Sequence, residues 1–436
     1  MSSRIFASVS SVSHDGIALG LAPALTPDGR ASDPSFFHGF AVHPRALAQG
    51  LITLADITAA RYFQFTPSTL RDPVLTAHGD RLRAEVFSAD NSVYARLDVF
   101  AEALDGGDIA YGTTNVDIGE EMRRTLSLVT SHELLHLDVG SAGLSAATPA
   151  RQASERPVAM PDRWTRALGN ASEIHADLEH RFDVSAAHAR AFLAQLPPAT
   201  ASNRSGWLES GPSGIRVSSR PGGVRVDGLN RLSALKRLLT VVTGLSVYGS
   251  ESGTAAVEAH LPGSRLLIAL TESLTRGYSG EGALLQLLAG PTVLDDAALV
   301  SAVLAFEPVI DLARLARATA LDEPAVRAAL AVLASSGRVG WDPRERVHFH
   351  RELPDDPERV DRDNPRLARA RGIAARDGSV RRDGLAFLVD GGNGEHRVSE
   401  TADGRMCTCT WYLRHGSGRG PCAHMLAIDL ITQENR

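Results

Sequence analysis

Hydrophobic and polar positions in the first part of the chain follow two different periods. Residues 43–62 carry leucine and isoleucine at helical spacing, which predicts an amphipathic helix. Arg81–Phe87 and Val93–Phe100 alternate apolar and polar residues around a short polar turn, which predicts a β-hairpin. Residues 163–196 have the pattern of two helices that end at a pair of prolines. Together these elements predict an N-terminal α+β domain with a helical tail over residues 1–198.

A second stretch, which contains both strand-like and helical spacing of apolar residues, follows a linker of small polar residues at 199–206. Short alternating runs in this stretch predict strands, and an apolar run near 230–242 predicts a helix. The strands are expected at Gly214–Val217, Gly223–Val226, Ala255–Leu261 and Arg265–Thr271. We therefore expect a separate middle α+β domain over residues 207–290.

Residues 295–352 carry a longer and more regular pattern of three helices and a hairpin. The helices are expected at 295–306, 310–318 and 323–335, and the hairpin strands at 339–342 and 347–349. Asp322 can cap the third helix, and Gly337 ends it. This order of elements resembles a winged helix-turn-helix, so we expect a winged-helix-like domain here.

The charge of that segment bears on whether it binds DNA. A helix that reads DNA presents Arg, Lys, Asn or Gln to the base edges, but the third helix offers Arg327 among alanines. Residues 295–352 hold seven arginines against nine acidic residues, a net charge of −2. Arg344 and Arg346 in the wing could contact phosphate. The charge balance favours a winged helix used for protein packing over one used for DNA.

The last part of the chain holds all three cysteines. A charged, proline-containing linker with one short helix is expected at 353–380, followed by a predicted hairpin. The pattern C-x-C, a twelve-residue spacer and C-x-H then supplies four donors: Cys407, Cys409, Cys422 and His424. Three thiolates and an imidazole are the ligand chemistry of a closed tetrahedral structural zinc site. A disulfide would leave an odd thiol, and two buried free cysteines would not need this spacing.

Local patterns place these four donors on a small ββ(β)α module over residues 381–436. Alternation around the first two cysteines predicts a strand end, where residues i and i+2 project from one face. The spacer Trp411–Pro421 is rich in Gly, Ser and Arg and is expected to be a loop. Pro421 favours a helix start, so the second pair of donors is expected in the first turn of an apolar helix.

These motifs and the preceding hairpin resemble the SWIM-type zinc finger over roughly residues 380–432. The resemblance implies zinc at the four donors named above. It also implies a module that serves protein or DNA contacts and is not a catalyst. The layout of the chain is similar to that of bacterial SWIM proteins that occur alongside MoxR-type AAA+ ATPases and von Willebrand A-domain proteins, which implies partners of those kinds.

A rival enzymatic hypothesis comes from the sequence His132-Glu133-Leu134-Leu135-His136, which fits H-E-x-x-H. On a helix this spacing puts two imidazoles on one face beside a glutamate, as in a zinc metalloprotease. Apolar residues alternate with His136 and Asp138, however, so the period is that of a strand. We therefore expect His136 on a strand and the two imidazoles apart.

Composition bounds the remaining possibilities. The 436 residues are 43% hydrophobic and 22% charged, with a formal net charge of −6. The net charge of the chain is therefore not expected to favour binding to nucleic acid or to an anionic membrane. No apolar run reaches membrane-spanning length, the N-terminus lacks a signal-peptide pattern, and no disulfide framework is present. The sequence thus predicts a cytoplasmic, multi-domain, non-enzymatic zinc adaptor or scaffold. A DNA-binding regulator and an H-E-x-x-H metalloprotease are the alternatives.

Overall fold

The protein was analysed as a computed structural model. It describes the backbone of four short segments near the N-terminus and nearly all of the chain from residue 35 onward. The described ranges are 11–13, 16–18, 25–26, 29–30, 35–63, 73–202, 204–280, 282–304, 307–402 and 404–434. The end of the helix expected at 295–306 lies outside these residues.

Fourteen strands and four helices are described before residue 198, and they are numbered here in chain order. The strands are β1 Ser11–Ser13, β2 Gly16–Ala18, β3 Leu25–Thr26, β4 Gly29–Arg30, β5 Ser35–Ala41, β6 Val74–His78, β7 Arg81–Phe87, β8 Val93–Phe100, β9 Leu104–Asp105, β10 Tyr111–Asn115, β11 His136–Gly140, β12 Gly143–Thr148, β13 Arg151–Glu155 and β14 Glu179–Ser185. The helices are α1 Pro44–Thr58, α2 Glu120–Ser127, α3 Asp162–Ala176 and α4 Ala186–Gln195. The predicted helix at 43–62 and the hairpin of β7 and β8 are confirmed.

The tail predicted as two helices contains a strand as well. β14 lies between α3 and α4 and pairs with a strand from the middle of the chain. That strand belongs to the next group, which is β15 Gly206–Gly211, β16 Gly214–Ser218, β17 Val224–Val226, β18 Gly244–Gly249, β19 Ala255–Leu261 and β20 Ser264–Leu270. The helix expected near 230–242 is a 3-10 helix at Leu229–Leu238.

The N-terminal and middle segments share one eight-stranded antiparallel sheet, called here the central sheet. Its strand order is β10-β6-β7-β8-β20-β19-β18-β14. The two segments meet where β8 pairs with β20, from Val93 opposite Leu270 to Val99 opposite Ser264. One hydrophobic core joins them. They are therefore not the two separate domains that the sequence predicts, because alternation identifies a strand but does not identify its partner.

A second sheet and the remaining helices cover the central sheet. This five-stranded sheet has the order β13-β12-β11-β5-β9, and α1 packs between β5 and the central sheet with its apolar face buried. A third sheet, β16-β15-β17, joins the edge near α4.

The predicted three helices and hairpin are present after residue 290. They are α5 Val293–Val303, α6 Leu312–Thr319, α7 Glu323–Ser335, β21 Val339–Asp342 and β22 Val347–His350. Asp322 caps α7 as expected, since its side chain accepts a hydrogen bond from the Ala325 amide at 2.8 Å. The structure thus shows three helices and a hairpin in the predicted order, and these elements, Val293–His350, are called here the helical unit.

The hairpin of β21 and β22 is attached to the central sheet by buried ion pairs. Asp342 of the hairpin accepts hydrogen bonds at one carboxylate oxygen from three arginines of the sheet. The donors are Arg83, Arg96 and Arg265, at 3.2, 2.8 and 2.6 Å. Asp98 of β8 accepts from the same arginines at 2.6, 3.0 and 3.0 Å. The hairpin of the helical unit is therefore a packing element within the chain.

The segment expected as a linker at 353–380 is helical and partly buried. It forms α8 Arg359–Arg362 and α9 Pro365–Ala374, and α9 packs against the last helix of the chain. Leu367, Ala370 and Ile373 are fully buried. One short helix was expected here, but the interpretation of the segment as a linker was wrong, because charged residues lie on the outer face of α9 while every third or fourth residue faces a core.

The C-terminal module is a four-stranded meander followed by two helices. Its elements are β23 Val380–Asp383, β24 Ala386–Asp390, β25 Glu395–Thr401, β26 Gly404–Cys407, α10 Thr410–His415 and α11 Ala423–Glu434. The predicted hairpin corresponds to β24 and β25, and the expected helix after Pro421 is α11. A second hydrophobic core contains this module together with α5, α7 and α9. The helical unit and the module are thus one packed body.

Candidate metal centre

The four predicted donors are positioned by three different elements. Cys407 is the last residue of β26, opposite the buried Val398 of β25. Cys409 precedes α10, and its sulfur accepts a hydrogen bond from the Tyr412 amide at 3.4 Å. Cys422 and His424 lie at the start of α11, as the proline before them predicts.

These donors converge in the structure. One ligand atom from each of Cys407, Cys409, Cys422 and His424 lies within 4.8 Å of the others, and all four residues are buried. Cys407 Sγ and His424 Nδ1 are 3.7 Å apart. A tetrahedral ion bound at about 2.3 Å from sulfur separates its ligand atoms by about 3.8 Å, so the donor set fits such an ion. No other group of this kind is found in the parts of the chain that the structure describes.

The electrostatics of the thiols explain why a cation suits this site. Burial raises the pKa of Cys409, and hydrogen bonding to Cys422 together with burial raises the pKa of Cys407. Hydrogen bonding from Cys407 lowers the pKa of Cys422 to about 4. One negative charge is therefore favoured among three thiols, and holding a second or third thiolate there requires a compensating positive charge.

The His424 ring is held between the hairpin turn and a second imidazole. His396 of β25 lies with its ring centroid 4.3 Å from that of His424. His424 Nε2 is buried, and no described residue accepts a hydrogen bond from it. A Cβ on Gly391 would lie 2.7 Å from this nitrogen. Gly391 therefore gives the imidazole room to turn Nδ1 toward the cysteines, a role that the turn sequence alone does not indicate.

The spacer between the two donor pairs is more ordered than the predicted loop. It contains α10, and two arginines from outside the module hold the rest of it. Arg366 of α9 donates to the Arg419 and Pro421 carbonyls at 2.6 and 3.1 Å and lies over the Trp411 ring at 4.4 Å. Arg276, which follows β20, donates to the Gly418 carbonyl at 3.1 Å. Sequence reasoning did not find these arginines because their contacts are distant along the chain.

The H-E-x-x-H residues lie apart from this centre. His136 begins β11, as predicted, and its ring packs edge-on against His38 and Phe40. His132 is exposed in the preceding turn. Glu133 pairs with Arg151 at 3.2 Å. Within the described residues these side chains do not form a group that could hold a metal ion.

Arg344 and Arg327, two of the three arginines considered as DNA contacts, make contacts within the chain. Arg344 donates to Glu258 and Ser246 of the central sheet at 3.1 and 3.2 Å. Arg327 pairs with Glu323 on its own helix at 3.6 Å. The C-terminal half of α7, from Ala329 to Ser335, is buried.

Comparisons with known proteins add little to this description. The PCNA2–PCNA3 complex of Sulfolobus tokodaii aligns at 9% identity and a TM-score of 0.39, covering 54% of this chain and 98% of that chain. Proliferating cellular nuclear antigen of Entamoeba histolytica aligns at 10% identity and a TM-score of 0.37, covering 55% and 99%. Structural similarity at this level supports no inference about this chain. No family model and no curated protein matches the chain.

Within the residues that the structure describes, no helix combines the length and the apolar character that crossing a bilayer requires.

Proposed function

We propose that residues 380–434 are a structural zinc module of the SWIM type and that the protein is a non-enzymatic adaptor acting through protein contacts. The observation that carries this proposal is the convergence of four buried protein donors at one point. Four protein ligands fill a tetrahedral zinc shell, whereas a catalytic zinc keeps one position for water or substrate. Zinc bound there would hold the ends of β26 and α11 together.

The outer surface of the module supports a role in protein contacts. Three large apolar side chains are exposed there: Leu385 at 87%, Leu413 at 74% and Met406 at 53%. Leu385 precedes β24, Met406 lies on β26, and Leu413 lies on α10. A module that is stabilised by metal can present such side chains without depending on them for its own core.

The proposed partners are a MoxR-type AAA+ ATPase and a von Willebrand A-domain protein. They rest on the resemblance of layout alone. Direct binding of each purified protein from the same organism to the full-length chain, measured by biolayer interferometry, tests them.

The experiment compares three forms of the chain. Leu385→Asp combined with Leu413→Asp alters the module surface, and Val217→Asp is the matched control because Val217 is a half-exposed apolar residue on the distant β16. The proposal expects binding that the double variant reduces at least tenfold and the control leaves unchanged. Equal binding by all three forms would contradict an adaptor surface on the module, and unchanged zinc content in each form shows that the module is intact.

A further inference from the structure

A cleft of about 950 Å³ lies between α3, α7 and the hairpin of β21 and β22, away from the metal centre. Volumes of this size are typical of sites for small organic molecules. Its walls are mainly apolar and include Leu287, Ile310, Leu330 and Val347. The cleft therefore offers an apolar enclosure, and its specificity depends on the polar groups that line it.

The turn of the hairpin sends its charged side chains in two directions. Arg344 and Glu345 point to the central sheet, where Arg344 pairs with Glu258 at 3.1 Å and Glu345 accepts from Arg81 at 2.7 Å. Arg346 lines the cleft instead. Its φ is +55°, in the left-handed region that non-glycine residues rarely adopt. The turn thus accepts a strained backbone at the residue that places a guanidinium in the cleft.

Two arginines and an aromatic ring line the cleft. Trp341 lies with its ring edge-on to His348. Arg346 is exposed, and its guanidinium makes no ion pair within the described part of the chain. Arg327 pairs with Glu323 at 3.6 Å and also faces Glu173.

The carboxyl groups of the lining leave Arg346 without an ion pair. Asp311 accepts the Arg314 amide at the start of α6, and Glu323 faces Arg327 on the same helix. Glu173 of α3 is the third, and burial raises its pKa to about 7, so much of its negative charge is suppressed at neutral pH. A guanidinium beside an apolar wall fits a ligand with an anionic head and an apolar body.

We propose that this cleft binds a small organic anion with an apolar body, whose acidic group contacts Arg346. The site is independent of the zinc module and of the proposed adaptor function. The anion would displace water from the apolar wall and pair with the guanidinium.

The test uses two fluorescent probes of similar shape. 1-Anilinonaphthalene-8-sulfonate carries the anionic group, and N-phenyl-1-naphthylamine lacks it. Each is titrated against the zinc-loaded full-length chain and against three variants: Arg346→Ala, Arg346→Lys and, as the control, Arg220→Ala on the exposed surface beyond β16. Near-ultraviolet circular dichroism and zinc content confirm that each variant is folded.

The proposal expects the sulfonate to bind at least tenfold more tightly than the neutral probe. Arg346→Ala should weaken sulfonate binding at least tenfold and Arg346→Lys should restore most of it. The control should have no effect. Equal affinity for the two probes, no binding of the sulfonate, or unchanged binding in Arg346→Ala would overturn the proposal.

Discussion

Asp342→Asn is the substitution that most directly tests how the helical unit is attached to the central sheet. One oxygen of Asp342 accepts from Arg83, Arg96 and Arg265 at 3.2, 2.8 and 2.6 Å, and all of these side chains are almost fully buried. Removing one member of a buried ion pair costs about 3–5 kcal/mol, because the remaining charge is left without compensation. Asp98 still faces the same arginines, so we expect about 3 kcal/mol, at the lower end of that range.

The amide variant isolates the charge from the shape of the turn. Asp342 Oδ1 also accepts the Arg344 and Glu345 amides at 3.1 and 3.2 Å, and an asparagine oxygen can keep both bonds. Asp383→Asn is the matched control, since Asp383 pairs with Arg397 at 2.8 Å on the exposed surface. Exposed pairs contribute less than about 1 kcal/mol.

Urea unfolding followed by tryptophan fluorescence measures both variants. The pH dependence gives a second check. Burial opposes the charge of Asp342, but Arg96 and its neighbours outweigh burial and lower the pKa. The stability from this carboxylate is present above the unfolded pKa of about 3.9 and is lost as pH falls below it, so the difference from wild type should shrink there. A loss below about 1 kcal/mol at pH 7, equal to that of the control, would refute the reasoning.

Four further outcomes follow from the structure. Cys409→Ser should abolish zinc binding, and hydrogen exchange should show residues 380–434 opening while the central sheet stays protected, because binding energy at such a site is folding energy. Gly391→Ala should weaken zinc affinity about 10–100-fold in a chelator competition, since its Cβ would lie 2.7 Å from His424 Nε2. Glu173→Gln should raise the melting temperature relative to wild type at pH 8.5 and not at pH 5, because ionising a buried carboxyl whose pKa is raised from 4.5 to about 7 removes stability as pH rises through that range. Fluorescence anisotropy at physiological salt should show weak or no DNA binding, given the acidic balance of the helical unit.

Local patterns in the sequence predicted individual helices and strands well, but they predicted less well how those helices and strands pack together. Period-2 and helical spacings located β7, β8, α7 and the hairpin of β21 and β22, because each depends on neighbouring residues. The pairing of β8 with β20 was missed, since these strands are more than 160 residues apart and alternation is the same for every partner. The burial of α9 was missed for a related reason: its sequence is charged overall, and only the packed helix shows which residues face the core.

At the candidate metal site, the sequence likewise predicted the ligand residues but not their surroundings. The types and spacing of Cys407, Cys409, Cys422 and His424 were readable from the sequence because a tetrahedral thiolate site imposes them. The environment of the donors was not, because Gly391, Arg366 and Arg276 reach the site through the fold.

X-ray absorption at the zinc edge of the purified full-length protein tests the central claim most directly. The account predicts one zinc per chain, with three sulfur neighbours at about 2.3 Å and one nitrogen neighbour at about 2.0–2.1 Å. A protein without zinc, or a zinc shell made of oxygen and nitrogen only, would contradict it.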